Sequence, residues 1–478
     1  MDPISSSPHV LIFPLPLQGP IKCMLKLSEC LCLAGLEVTF LNTVHYHHRL
    51  LSCTDIQSHF ARYPRFRFET IADGLTEDNP RTGDRVMELF DGLEAMTKPL
   101  FREMLTSGSL SSESRRPVTC IIVDAMLIFA LDVAEQVGIP LFYFDTISPC
   151  GLWTYFCLPK LIDAGELPFK GNDLDAPIKS VQGMEGFLRQ RDLPSFCRAS
   201  DLTDYQLKFA MMEIQQVPRA RGLILNTFKE LDEPFLSQMR SLCPNLYPIG
   251  PIHTHLKTRL NAEPTLPPPS STSLWQEDQS CMIWLNAQPF KSVIYISIGS
   301  LSMMTSNQLM EFWHGLVNSG HRFLWVRRPN SIVGENRVGP IPKELLEATK
   351  ERGCIVSWAP QEDVLAHPAV GGFLTHSGWN STLESMVEGV PMLCWPSFVD
   401  QHVNSRFVSE VWKLGIDMKD TCDRVVIEKM VKDLMDVRRD EFLQSAERLA
   451  KLAKQSVSEG GSSFCNLKCL IEDIIRLM

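Results

Sequence analysis

Residues 371–389, GGFLTHSGWNSTLESMVEG, pass from a short apolar run through small residues into a helical pattern closed by Gly389. GGFLTH reads as a buried strand, SGW as a tight turn and NSTLESMVE as a helix. A strand, a small-residue turn and a helix N-terminus in that order present backbone N–H groups together with the positive end of a helix dipole. That arrangement suits a phosphate group. His376, Asn380 and Ser381 place side-chain donors at the same spot. Asn and Ser also start helices in the absence of any ligand, so this pair alone leaves simple capping and binding equally open.

Outward from this stretch the same alternation repeats. SVIYISIGS (292–300), HRFLWVRR (321–328), GCIVSW (353–358) and VPMLCWP (390–396) read as further strands, and Thr305 with Gln308 has the spacing of a capping box. In the first half HVLIFPL (9–15), LEVTFLN (36–42), VTCIIVDAM (118–126), IPLFYF (139–144) and GLILNTF (222–228) are strands separated by helical patterns. Apolar runs buried on both faces and alternating with helices imply a parallel sheet. PIKCMLKLSECLCLAG predicts a helix from Pro20 that Gly35 ends.

The expected fold is α/β: two doubly wound, Rossmann-like domains facing each other across a cleft. The predicted boundaries are an N-terminal acceptor-binding domain over 1–252, a linker over 253–273, a C-terminal domain over 274–455 and a closing helix over 456–478. The N-terminal domain is the candidate partner of that helix. The linker rests on NAEPTLPPPSSTS (261–273), whose prolines and hydroxyl residues cannot supply a core element. In such sheets ligands bind beyond the carboxyl ends of the strands.

Composition narrows the function. A chain of 478 residues, 44% hydrophobic and 21% charged, is that of a globular protein. A net charge of -10 without a basic block leaves nucleic acid out as a partner. The 15 cysteines show neither paired CxxC elements nor a disulfide-scaffold spacing, so reduced thiols and a cytoplasmic location are expected. No stretch approaches the roughly 18 uninterrupted apolar residues of a membrane span, so stable membrane insertion is not expected. The run HYHH (45–48) lacks a neighbouring cysteine or carboxylate, and its histidines read as solvated or cleft-lining, not as metal ligands. No metal site and no cofactor are predicted. The linker PLPLQGPI between first strand and first helix lacks a G-x-G-x-x-G turn, which disfavours a nicotinamide oxidoreductase.

The whole stretch WAPQEDVLAHPAVGGFLTHSGWNSTLESMVEGVPMLCWPSFVDQ (358–401) resembles the donor-binding box of plant family 1 UDP-sugar glycosyltransferases. HVLIFPLPLQG, VDAMLIFALDVAEQVGIP, RDLPSF, YPIGP and YISIGS extend the resemblance over essentially the entire chain. LPLQG, LNTVHYHHRLL and RDLPSFCR resemble the group within that family that includes 7-deoxyloganetic acid glucosyltransferases. The resemblance implies a two-domain GT-B fold with Trp358 stacking on uracil, the backbone of Ala359 bonding to it, and Gln361 and Glu384 on the ribose. It further implies that Ser300, His376, Ser377, Gly378, Asn380 and Ser381 hold the diphosphate and that Trp379, Asp400 and Gln401 bind the sugar. Gln401 in the last place is similar to the glucose-preferring form of the box. The implied partners are UDP-glucose as donor substrate and a small hydrophobic acceptor, a terpenoid or phenol, with the chain a monomer. Phe13, Phe142, Phe144, Trp153 and Phe156 are candidate pocket aromatics, though ordinary core is an equal reading for them.

One position departs from the pattern. The family's catalytic histidine stands directly after QG at the first helix and is oriented by a buried aspartate. Here Asp124 is present, but Pro20 follows Gln18 and Gly19. Proline suits a helix start but cannot accept a proton. A positioned base supplies about 10² to 10⁴ in rate. The sequence therefore leaves two expectations: an inverting glucosyltransferase that uses another proton acceptor (Asp124 or a histidine of 45–48) or an already acidic acceptor, and a UDP-sugar-binding pseudoenzyme with little transfer.

Overall fold

A computed structural model of the chain describes residues 7–111, 116–262, 271–329, 331–333, 347 and 349–478. It divides into two compact units, one of Met1–Pro149, Lys208–Gln276 and Lys454–Met478, the other of Cys150–Leu207 and Glu277–Ala453.

The first unit is built on seven parallel strands: β1 (His9–Phe13), β2 (Glu37–Thr43), β3 (Phe66–Ile71), β4 (Cys120–Asp124), β5 (Leu141–Asp145), β6 (Gly222–Leu225) and β7 (Leu246–Pro248). Their spatial order is β3-β2-β1-β4-β5-β6-β7. Every residue of β1, β4 and β5 is buried, which is why these strands read as unbroken apolar runs. Chain order reverses between β1 and β4, where Phe13 pairs with Val123, so the residues after β1 and the last residue of β4, Asp124, meet at the switch point. β3 escaped the sequence reading because it lies at the sheet edge and only Ile71 of FRFETI is buried. β7 has three residues, too few to show a period.

The helix after β1 spans Gln18–Leu33, so Pro20 is its third residue, not its first as predicted. The first intrahelical bond runs from Ile21 N to Leu17 O at 3.0 Å. The missing N–H of Pro20 falls within the four that a helix leaves unpaired in any case. Gln18 enters the helix because its amide is fixed: Oε1 accepts from Leu274 N at 2.7 Å and Nε2 donates to Thr272 O at 3.4 Å.

The strap beyond residue 252 is shorter than predicted. Ile252–Asn261 is a helix packed against the helix Gln18–Leu33. Residues 263–270, the proline-dense part, lie outside the described residues. Leu274 is fully buried in the first unit's core, and Arg49 fixes this stretch through a 2.7 Å bond to Leu274 O and its guanidinium over Trp275. Residues 274–276 thus group with the first unit, and residues 150–207, predicted to be N-terminal, group with the second. The closing helix, Ser462–Ile475, lies along β7, with Tyr247 donating to Asp473 at 2.6 Å and Asn466 to Pro248 O at 3.1 Å.

The second unit carries β8 (Val293–Ser297), β9 (Met304–Thr305), β10 (Arg322–Val326), β11 (Ile332–Val333), β12 (Gly353–Val356), β13 (Val370–Thr375), β14 (Met392–Cys394) and β15 (Gly415–Asp417). Six form a parallel sheet in the order β12-β10-β8-β13-β14-β15, and β9 and β11 make a separate pair. The capping box is present: Gln308 N donates to Thr305 Oγ1 at 3.2 Å and Thr305 N to Gln308 Oε1 at 2.8 Å. Here the chain order reverses between β8 and β13, with Thr375 opposite Ser297.

Of the five candidate aromatics four are buried, and Phe156 is half-buried with its ring 6.2 Å from that of Trp153. Phe13, Phe142 and Phe144 are fully buried, and Trp153, 6% exposed, donates its indole N–H to Gln182 O at 2.8 Å.

Candidate active site

The carboxyl ends of β8, β13 and β14 are adjacent, since Thr375 pairs with both Ser297 and Cys394. The loops that follow them carry Ser300, then His376 to Ser381, then Asp400 and Gln401. The helix Trp379–Val387 starts after Gly378 with no side-chain cap and no acidic residue in its first turn. Its dipole end therefore meets no carboxylate from its own first turn.

His376 is held in a notch between two glycines. A Cβ on Gly299 or on Gly378 would lie 2.4 Å from His376 Nε2, so a side chain at either place would displace the imidazole. Gly299 also has φ +79, a left-handed conformation that favours glycine. Ser377, between them, adopts φ 62 and is fully buried. Burial, and then the positive charge of Arg328, push the imidazole of His376 down to about 4, so it is neutral at pH 7 and keeps one N–H to donate.

Arg328 was not read from the sequence. Its Nε donates to Gly299 O at 2.8 Å, fixing the loop that carries Ser300 and setting a guanidinium beside His376. Its position just beyond β10, at the same edge of the sheet, is what brings it here.

The residues read as ribose ligands form one connected group. Gln361 Nε2 donates to Ser381 Oγ at 2.9 Å and to Glu384 Oε2 at 2.8 Å. Tyr295, buried on β8 and stacked on Phe373 at 4.9 Å, donates its hydroxyl to Gln361 Oε1 at 3.3 Å and so orients the amide. Trp358 precedes this group, half-buried, with its carbonyl accepting from Asp278 N at 3.0 Å, while Ala359 is buried.

The next loop is joined to the turn by Asn404. Its Nδ2 donates to Ser377 O at 2.9 Å and to Asp400 Oδ2 at 2.8 Å. Gln401, 4% exposed, accepts at Oε1 from Ser397 N at 2.9 Å and Phe398 N at 3.2 Å, so its amide nitrogen is the donor end. RDLPSF buttresses this loop: Ser195 Oγ accepts from Val399 N at 3.0 Å, and buried Asp192 meets Lys419 at 3.0 Å and Arg189 at 2.9 Å. Trp379, the first residue of the helix, is 3% exposed, and its ring lies 6.0 Å from that of Trp412.

Asp124 lies in the first unit, 1% exposed at the end of β4. Oδ1 accepts from Met126 N and Oδ2 from Thr146 Oγ1, both at 3.0 Å. Burial pushes its carboxyl up to about 7, against the two hydrogen bonds that lower it. Pro20 follows the neighbouring strand β1 and offers no basic nitrogen, its ring nitrogen being a tertiary amide. His45, on the helix Val44–Cys53 after β2, is pushed down to about 4 by burial and then by Arg81, which makes it a weak base. Among the described residues no group of histidine, cysteine, aspartate or glutamate could hold a metal ion.

Comparison with known proteins decides the family. The 7-deoxyloganetic acid glucosyltransferase of Catharanthus roseus is 56% identical over 99% of this chain and 98% of its own. The chain belongs to the plant UDP-sugar glycosyltransferase family. A family model described as UDP-glucoronosyl and UDP-glucosyl transferase matches residues 271–455, and a myricetin 3-O-rhamnoside 1,2-glucosyltransferase of Crocosmia x crocosmiiflora is 43% identical over 98% of this chain and 96% of its own. The crystal structure of Os79 from O. sativa in complex with UDP has a TM-score of 0.79 at 29% identity, covering 97% of this chain and 100% of that one. The two Rossmann-like sheets are those of the GT-B fold, and this glycosyltransferase is a hexosyltransferase. No helix among the described residues is long and apolar enough to cross a membrane.

Proposed function

We propose that the chain transfers glucose from UDP-glucose, with inversion, to a hydroxyl of a small terpenoid or phenolic plant metabolite, without a histidine base. The second unit holds the donor and the first supplies the proton acceptor. The observation that carries this reading is the hydrogen-bonded continuity of the donor-side loops: Gln361 to Ser381 and Glu384, and Asn404 between Ser377 and Asp400.

Each part has a physical role. The uncapped helix N-terminus and the neutral His376 N–H bind the diphosphate and stabilise it as it leaves, which neutral donors do without a metal. Trp358 stacks on the uracil. Glu384, whose Oε2 accepts from Gln361, binds the ribose hydroxyls through its carboxylate oxygens. Trp379, Asp400 and the amide of Gln401 bind the sugar.

Proton removal falls to Asp124. A carboxyl near 7 is matched to neutral pH, where a base of unshifted acidity would accept protons poorly. Acidic acceptor hydroxyls lower the demand further. The cytosol and a monomeric state are the setting expected from free thiols and charge.

Titration calorimetry with UDP, run beside an acceptor screen read by mass spectrometry, tests the reading. Wild type binds UDP and forms a hexoside on a phenol or terpenol. In Gly378→Ala the new methyl group displaces His376 and UDP affinity falls about 10- to 100-fold, the loss of one strong charge-assisted bond. UDP binding with no product on any acceptor would instead mean a pseudoenzyme, and absence of UDP binding would end the donor assignment.

A further inference from the structure

At the carboxyl edge of the first sheet the buried Asp124 has one half-buried neighbour that carries an exchangeable proton. Thr146, directly after β5, donates its hydroxyl to Asp124 Oδ2 at 3.0 Å, while Oδ1 is occupied by Met126 N at 3.0 Å. Asp124 itself is 1% exposed. An O–H that donates inward keeps its lone pairs free to accept.

The geometry points to Thr146 as a proton relay between acceptor and Asp124. The inference rests on the glucosyl-transfer reading above. The acceptor O–H donates to Thr146 Oγ1 as the threonine passes its own proton to Asp124 Oδ2. The acceptor oxygen forms its bond to the anomeric carbon, the bond from that carbon to the β-phosphate oxygen breaks, and UDP departs with the electron pair. Asp124 ends as the neutral acid and returns its proton outward through the same hydroxyl after product leaves. A hydroxyl and a carboxylate thus do together what an imidazole at residue 20 would do alone, with no co-reactant.

The titratable groups around Asp124 fit this role. Glu213, on the helix Tyr205–Gln216, is 2% exposed with Oε1 unpartnered, and burial followed by the like charges of Asp145 and Asp124 pushes it well above the usual carboxylate range. That direction favours the neutral form of Glu213 beside Asp124. Asp145, at the end of β5, uses Oδ1 to accept from Ile147 N at 3.1 Å.

Thr146→Val keeps the shape and removes the relay; Thr146→Ser keeps the hydroxyl and controls for packing. Turnover with UDP-glucose is measured on alcohols and phenols of graded acidity, with UDP affinity and proton inventory in mixed H2O and D2O. Thr146→Val is expected to lose about 100-fold on the least acidic acceptor, in the range of a lost general base, and about threefold or less on the most acidic. Thr146→Ser restores the rate, UDP affinity is unchanged in both, and the inventory of wild type is bowed by two moving protons where that of Thr146→Val is linear. A valine variant that matches wild type on every acceptor, or that loses equally on all of them, overturns the relay and leaves the transfer reading standing. A wild type that binds UDP and makes no product overturns both.

Discussion

Asp192 and Asp124 are both buried aspartates of RD- and VD-type motifs, one in each unit, and their surroundings give them opposite properties. Asp192 is fully buried, but Arg189 and Lys419 outweigh the burial that would raise it and hold its carboxyl below the ordinary range. Asp124 meets only a backbone N–H and a hydroxyl, and burial wins, pushing it to about 7. The same side chain is a fixed ionic anchor where cations surround it and an exchangeable proton site where none does. The first arrangement anchors RDLPSF, whose Ser195 holds Val399, and the second stands at the end of the strand beside β1, which Pro20 follows.

Asparagine substitution sharpens the contrast most. Asp192→Asn removes one of the two carboxylates beside buried Lys419, which keeps Asp417 at 3.2 Å, and is expected to cost about 2 to 3 kcal/mol at pH 7, a cost that shrinks as pH falls below the ordinary carboxylate range because wild type then loses the same charge. Asp124 has the opposite sign. Its folded pKa is raised, so its favourable contribution exists below about 4 and is lost as pH rises through about 7. Asp124→Asn should therefore gain relative to wild type between pH 5 and pH 8, by on the order of 2 to 4 kcal/mol. Thermal unfolding of both variants across that range checks it. Parallel pH responses would break the comparison.

Restoring the imidazole is a smaller perturbation. Pro20 occupies a place in the first turn where another residue meets no lost hydrogen bond, so Pro20→His should fold. Turnover on weakly acidic alcohols is expected to rise about 10-fold, a partial recovery of what a positioned base supplies. Unchanged turnover on every acceptor would mean that residue 20 does not limit the chemistry.

How much of this was legible follows from distance along the chain. The turn and helix of 371–389 are local, so small residues, a helix starter and a closing glycine announce them together. The capping box of Thr305 is local too. What holds the site together is not: Tyr295 orienting Gln361, Asn404 joining Ser377 to Asp400, and Ser195 fixing Val399 span up to about two hundred residues, and no pattern within one segment signals them. Thr146 reads as an unremarked residue after a strand, and Glu213 sits in a helix whose polar residues suggest a solvated face. Burial of that face, and then the charges of Asp145 and Asp124, are what raise Glu213. The edge strand β3 was missed for a related reason, since its partly exposed alternation lacks the apolar run that marks the central strands.

The pH dependence of kcat on a single weakly acidic alcohol, in wild type and in Asp124→Asn, tests the account most directly. Wild-type kcat should rise through an ionisation near 7 with the small heat of a carboxyl group, and Asp124→Asn should lose both the limb and about 10²-fold or more of the rate. An unchanged limb in Asp124→Asn, or one with the larger heat of an imidazole, would contradict the assignment of the proton to Asp124.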